Sequence, residues 1–169
     1  LLTLFGSIKL HWAVDDLFIN TSINENVVKN RAIFTSQSDR NLEILINIWK
    51  NMIFPRYQNC ELLIPNSHLN IGNNNIITRK RGSQKDLIKD LLSSKVYLIP
   101  GHKAELFCLA AEEARELCIP IVTLGIGCLS ERVDHGYTGF VAKNKKEFAQ
   151  FTIDLFENNK LYNEFKKNL

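Results

Sequence analysis

Two glutamates, Glu105 and Glu113, bracket the run Glu105-Leu-Phe-Cys-Leu-Ala-Ala-Glu-Glu113-Ala114, which reads as a loop entering a helix. The first turn of a helix presents backbone N–H groups with no partner inside the helix, and these form a ready anion site. Carboxylates set beside such a site accept hydrogen bonds from sugar or ribose hydroxyls, while the amides take phosphate oxygens. That combination suits a sugar nucleotide better than a bare phosphate. Three further pieces follow: Ile119-Pro-Ile-Val-Thr123, a buried strand; Gly125-Ile-Gly127-Cys-Leu-Ser-Glu131, a glycine-bearing turn; and Gly136-Tyr-Thr-Gly-Phe140.

Other residues compete for a chemical role. Arg40, in Ser36-Gln-Ser-Asp-Arg40-Asn-Leu42, can hold two phosphate oxygens at once, or be an exposed arginine at a helix start. Arg79-Lys-Arg-Gly82-Ser83 is the one dense basic cluster; three charges without interleaved aromatics make no stacking platform for nucleic acid. Glu105 alone is equally readable as a helix-start carboxylate favoured by the macrodipole. Glu112 reads as a solvated helix face. His68, His102 and His135 have no Ser, Cys or Asp at a persuasive spacing, so no catalytic base is assigned. Cys60, Cys108, Cys118 and Cys128 contain no C-x-x-C pair, and no His stands at zinc-finger spacing. The expectation is a reducing compartment, no disulfides and no metal.

The elements that must position these groups alternate as β-α units from Arg31 onward. Short apolar strands are expected at Ala32–Thr35, Glu61–Ile64, Ile76–Thr78, Val96–Ile99, Ile121–Thr123 and Phe140–Ala142. Helical spacing marks Leu42 to Ile53, ended by Pro55, then Leu87 to Leu92, and Phe148 to Phe156. Strands that are apolar throughout belong in a parallel sheet covered on both faces. The fold class is therefore α/β, a single Rossmann-like, doubly wound domain with a mainly parallel sheet of about six strands. In such a sheet a ligand sits at the carboxyl ends of the strands, at the switch point. Three loops are expected to meet there: Ser36–Asn41, Arg81–Gln84 and Glu105–Leu109, bordered by Gly125–Cys128.

The 169 residues suffice for one domain with a real core and are too few for two full α/β domains. A hydrophobic share of 45%, a charged share of 23% and a net charge of +3 are those of an ordinary globular protein, with no polyelectrolyte argument for nucleic acid. No apolar stretch approaches the ~18 residues that span a bilayer. Leu1-Leu-Thr-Leu-Phe-Gly lacks the charged n-region of a signal peptide, and lacks an initiator Met. The segment from Asn158 to Leu169 stops in a helical pattern without a cap, so a piece of something longer is expected. Residues 1–30 read as an interdomain connector or tail, or equally as a helix and loop packed outside the domain, and residues 31–169 as the domain itself.

The ordered set across residues 105 to 140 resembles the C-terminal, donor-binding half of retaining GT-B glycosyltransferases, glycosyltransferase family 4 or glycosyl transferases group 1. Their signature is a glutamate, seven residues, a second glutamate, an alanine-rich helix, a proline-started strand, a small glycine turn and a closing G-x-T-G-F. Glu105, Glu113, Pro120 and Gly136 to Phe140 match it, and a weaker resemblance spans about residues 31 to 160. The resemblance implies that Glu105, the catalytic-site candidate, holds hydroxyls of the transferred sugar. It gives the amides of Phe107, Cys108 and Leu109 to the diphosphate and sugar, and Glu113 to the ribose. Arg40 is implied on the diphosphate, and Gly82 and Ser83 beside the base, although a solvated turn explains that pair as well. Departures are Leu106, where proline or glycine is usual, and Cys108, where glycine is usual, changes expected to fill space near the sugar. Ser36 stands where many members have a basic residue, and Asn41 where they have glycine, so phosphate neutralisation falls to Arg40 and backbone amides.

What the resemblance implies for function is transfer of a sugar from a nucleoside diphosphate to an acceptor, with retention. The acceptor would be a glycan, lipid-linked sugar or protein held by a missing N-terminal domain. No cofactor and no metal are implied, and the fragment alone would be inactive. The reaction would be cytoplasmic, or at the cytoplasmic face of a membrane. Two alternatives stand beside it: a non-catalytic nucleotide-binding or interaction module, and another GT-B enzyme such as a nucleotide-sugar epimerase.

Overall fold

The computed structural model describes residues 13–23, 30–65, 71 and 74–169. Six strands, β1 (Arg31–Ile33), β2 (Glu61–Pro65), β3 (Ile76–Arg79), β4 (Val96–Gly101), β5 (Ile121–Ile126) and β6 (Gly139–Val141), form one sheet in the order β3-β2-β1-β4-β5-β6. Every pairing is parallel. Six helices accompany them: α1 (Asp16–Ile19), α2 (Leu42–Ile48), α3 (Gln84–Leu92), α4 (Leu109–Glu116), α5 (Lys145–Glu157) and α6 (Asn159–Asn168). This is the expected doubly wound α/β fold. His68, most of the polar loop after β2, and much of the 1–30 connector lie outside the described residues.

Burial explains the order. All six residues of β4 are buried, as are Leu62 to Pro65 of β2. A strand apolar along its whole length is stable only with helices on both faces. α2 and α5 pack against β4, and α5 also packs on α6. The remaining helices form a second group, with α1 against both α3 and α4. Trp49, Tyr97, Phe34 and Phe148 are completely buried between these layers. Side chains of this kind stabilise the fold by ~1.5–3 kcal/mol each. Lys95, at the start of β4, is also buried. Its Nζ donates to the Phe156 carbonyl at 2.8 Å and to Asn159 Oδ1 at 2.7 Å, tying the sheet to the end of α5.

Several element boundaries differ from the sequence expectation, and two differences have a clear physical cause. The first helix does not run regularly to Ile53; α2 ends at Ile48 and a π turn covers Trp49–Ile53, with the Phe54 N–H donating to the Trp49 carbonyl at 2.9 Å. Pro55 has no N–H to continue the ladder. The wider turn accompanies a buried Trp49, whose Nε1 donates to the Asn74 carbonyl at 2.8 Å. The second difference is that β4 and β5 continue to Gly101 and Ile126, past the apolar runs that mark them in sequence. Gly101 makes this possible. Its φ is +94°, and a Cβ there would stand 2.5 Å from the Ile126 carbonyl oxygen. Gly101→Ala is expected to cost ~1–3 kcal/mol, the range for a strained backbone position. Urea unfolding should show a lower midpoint with an unchanged slope; an unchanged midpoint would mean that the two strand ends do not need this contact.

Candidate functional site

β1 is followed by β2 on one side of the sheet, while β4 pairs with β1 on the other and continues to β5. The connections leaving β1 and β4 therefore diverge, and a crevice opens beyond their carboxyl ends. A cavity of about 400 Å³ lies there, lined by the three expected loops. Ser36 and Arg40 come from the loop after β1, Gly82 and Ser83 from the loop before α3, and Glu105 from the loop after β4. Leu109 and Glu113 contribute from the first turns of α4. Seven of the nine candidate residues are brought together.

Phe107 and Cys108 are not in the lining. Cys108 is 3% exposed, and burial followed by the nearby Glu105 charge pushes its thiol up to about 12. Its backbone is left-handed, φ 60°, at the N-cap of α4. Asn41, at the N-cap of α2, is left-handed as well, φ 63°. These are the two places where the resembled family has glycine, and a positive φ is the reason glycine suits them. Neither of the two departures expected to fill space near the sugar lines the cavity: Leu106 is 87% exposed and Cys108 is buried.

The loop after β4 is fastened from two directions. The Cys128 N–H donates to the Glu105 carbonyl at 3.0 Å. At Gly127, φ +75°, a Cβ would lie 2.4 Å from the His102 carbonyl and 2.8 Å from that of Glu105. The glycine turn expected after β5 is thus the end of β5 and a 3-10 turn, Gly127–Glu131, pressed against this loop. Asn41 Nδ2, at the start of α2, donates to the Gly101 carbonyl at 2.5 Å and joins it to the end of β4. Beneath them Thr35 Oγ1 donates to the hydroxyl of the buried Tyr97 at 3.2 Å.

Three arginines and two glutamates line the cavity. Arg40 Nε lies 3.3 Å from Glu105 Oε2, and its Nη1 donates to Asp39 at 2.8 Å. The Glu105 side chain is 15% exposed, and its Oε2 is buried with an ion-pair partner but no well-aligned hydrogen bond. Glu113 is raised above its ordinary value, by burial first and by the Asp15 charge second, while Arg81 opposes the shift. Ser83 caps α3 in a capping box: its hydroxyl donates to Asp86 Oδ2 at 2.7 Å and accepts from the Asp86 N–H at 3.3 Å. Gly82 has no room for a side chain, since a Cβ would be 2.9 Å from atoms of both Arg79 and Asp86.

Some lining residues were not singled out from sequence. Arg79 and Arg81 belong to the basic cluster, whose glycine and serine alone carried the assignment; Arg79 is paired with Asp90 and Arg81 faces Glu113. Asp15, before α1, reaches Glu113 from a segment read only as connector. Glu112 is not a solvated face: with 18% of its side chain exposed, it pairs with Arg115 at 3.1 Å and Arg132 at 3.4 Å. The histidines serve the backbone. His102 Nδ1 accepts from the Ala104 N–H and His135 Nδ1 from the Val141 N–H, each at 3.1 Å. Among the described residues no cluster of His, Cys, Asp or Glu is arranged to hold a metal ion, and no helix is long and apolar enough to cross a membrane. All four cysteines are unpaired.

The raised Glu113 carboxyl has a measurable consequence for stability. The native state keeps its proton to a higher pH than the unfolded chain, so stability falls as pH rises through that window. The penalty is absent below the ordinary value of 4.5 and complete above the raised one. Glu113→Gln should therefore melt at a higher temperature than the parent at neutral pH, and the two should converge on acidification. Melting curves across pH that stay parallel would show that Glu113 pays no burial cost.

Residues 66–169 match the family of glycosyl transferases group 1. No curated protein matches the chain. Among solved structures, a variant of S. aureus TarM, in complex with fondaparinux, alpha-GlcNAc-glycerol and UDP, superposes with a TM-score of 0.72 at 14% identity, covering 87% of this chain and 32% of that one. Anabaena HepE, in complex with UDP and glucose, gives 0.68 at 15% identity over 83% of this chain and 42% of its own. The C-terminal domain of the group 1 glycosyl transferase LpcC from Francisella tularensis gives 0.65 at 12% identity, covering 82% and 80%. The chain thus spans about a third of the length of TarM and most of the LpcC domain. At these identities the structures speak for the fold, and the family match covers more than half of the chain. This protein belongs to the glycosyl transferases group 1 family and has the architecture of a C-terminal Rossmann-like half of a GT-B fold.

Proposed function

We propose that this chain is the donor-binding half of a glycosyltransferase that moves a sugar from a nucleoside diphosphate to an acceptor, with retention at the transferred carbon. The observation that carries the reading is the convergence of Arg40, Glu105, Glu113 and the N-terminus of α4 on one cavity at the switch point. Arg40 and the backbone amides at the N-terminus of α4 would receive the diphosphate. Glu113 would accept the two ribose hydroxyls, Glu105 the hydroxyls of the sugar, and the backbone at Gly82 and Ser83 would border the base. UDP in the TarM and HepE complexes supports a nucleotide sugar as the ligand class.

The chemistry asked of this half is charge stabilisation. As the glycosidic bond breaks, negative charge collects on the departing diphosphate, and preorganised donors around it lower the barrier. Arg40 and the amides do this without a metal ion in the proposed scheme. The ion pair between Arg40 and Glu105 would keep the guanidinium beside the sugar-binding carboxylate before donor arrives. Groups that face the acceptor would come from outside this chain, and no residue here is assigned as a catalytic base. Four unpaired thiols, with burial raising each, fit a reducing, cytoplasmic setting.

Arg40→Ala should weaken UDP binding by roughly tenfold or more and leave uridine binding unchanged, since a hydrogen bond to a charged group contributes ~1.5–3 kcal/mol. Calorimetry with the two ligands decides it; parent-like UDP affinity in the variant would remove Arg40 from the phosphate site.

Glu105→Gln and Glu113→Gln should separate by ligand part. The Glu113 change is expected to weaken UDP and a UDP-sugar alike, whereas the Glu105 change spares UDP and weakens only the sugar nucleotide. Equal losses across both ligands from the two variants would refute this division.

A further inference from the structure

The position of the Glu105 carboxylate is not set by its own hydrogen bonds. Its Oε2 is buried without one, and its partner Arg40 is shared with Asp39. With only this shared ion pair to hold it, its placement depends on the loop that carries it. That loop has a backbone fastening at the Glu105 carbonyl, described above, and a second contact made by a side chain. The guanidinium of Arg132 lies over the ring of Phe107, 4.3 Å from its centre. Arg132 is itself held by Glu112 on α4, 3.4 Å away, and Glu112 takes Arg115 at 3.1 Å.

This cluster is costly for what it contributes to stability. Only 25% of the Arg132 side chain and 18% of the Glu112 side chain are exposed, and the Nε atoms of Arg132 and Arg115 are buried without a partner. Part-buried ion pairs of this kind seldom stabilise more than apolar residues of the same volume. A guanidinium over an aromatic face does something an aliphatic chain cannot: its charge attracts the ring face and holds the ring beneath it. The ring it fixes belongs to the loop of Glu105.

We infer that Arg132, held in place by Glu112 and lying over the ring of Phe107, is a positioning residue that sets the Glu105 carboxylate for the transferred sugar. The inference rests on the proposed sugar-binding role of Glu105. Arg132 does not line the cavity, so it acts through the loop and touches no ligand.

The test is a ratio, measured by calorimetry on the chain with UDP, GDP, UDP-glucose, UDP-N-acetylglucosamine and GDP-mannose. In the parent, one sugar nucleotide should bind several-fold tighter than its own diphosphate. In Arg132→Met, which keeps length and loses charge and plane, that gain should collapse to about onefold while diphosphate affinity stays within about twofold. Arg132→Lys should fail to restore it, because a single ammonium cannot sit over the ring and reach Glu112 at once as the forked guanidinium does. Phe107→Trp, which keeps an aromatic face, should preserve it, and Phe107→Leu should lose it. Combining Arg132→Met with Glu105→Gln should lower the gain no further than Glu105→Gln alone, the mark of two changes on one path. If Arg132→Met proves too unstable to assay, Phe107→Leu carries the same comparison without disturbing the ion cluster. A merely structural role would weaken diphosphate and sugar nucleotide in proportion, and that outcome overturns the inference, as does an unchanged gain in a folded variant. A parent that binds no nucleotide would instead overturn the proposed function, and one that binds diphosphates with no gain from any sugar would overturn both.

Discussion

Because β1 pairs in parallel with β4, while β2 follows β1 away on the other side, the sheet is wound outward in two directions from its middle. Every feature of the candidate site descends from that pairing. The loops leaving β1 and β4 cannot cover the same ground, so a cavity remains at their carboxyl ends. The loop before α3 reaches it because β3 leads back across the sheet to β4. The segment leaving β1 is then tied to β4 by two side chains, Thr35 on the Tyr97 hydroxyl and Asn41 on the Gly101 carbonyl. Parallel strands buried on both faces leave no solvent-facing side to host a site. Chemistry is confined to the strand ends, where backbone and side chains leave the hydrophobic layers.

Within that crevice, opposing charges are kept close without being fully satisfied. Arg40 divides its donors between Asp39 and Glu105, and Glu113 is held against its preference to ionise by burial and Asp15. Such arrangements detract from folding stability and are tolerated where a ligand completes them. The cluster of Glu112, Arg115 and Arg132 follows the same logic one layer back. It places charge where apolar residues would pack more cheaply, and its effect is to orient a loop.

Backbone conformation links the chain's departures from its family to its geometry. Asn41 and Cys108 stand where glycine is usual, and both adopt the left-handed conformation that explains the usual choice. Asparagine accepts this conformation readily and adds a bond to Gly101. Cysteine accepts it at a cost, with its side chain buried between the loop and the sheet. Both substitutions therefore change how the loops are held, while the cavity itself stays open.

The alternation of apolar strands and helical periodicity was sufficient, from sequence, for the parallel α/β fold. Apolar burial is written directly into residue type, and spacing reveals which face is buried. The same strand order placed the three loops that meet at the cavity, since a parallel sheet admits ligand only at its strand ends, and the ordered run from Glu105 to Phe140 singled out one of them. Tertiary structure decided what depends on direction and distance. Only there does Arg40 meet Glu105, Arg81 and Asp15 bear on Glu113, Leu106 turn outward, and Cys108 withdraw from the lining. Glu112 is the plainest instance: alone it reads as a solvated helix face, and it becomes half of a part-buried ion pair because Arg132, at the end of the 3-10 turn after β5, lies 3.4 Å away. A charge's role is fixed by its partners across the fold, and linear spacing carries no record of them.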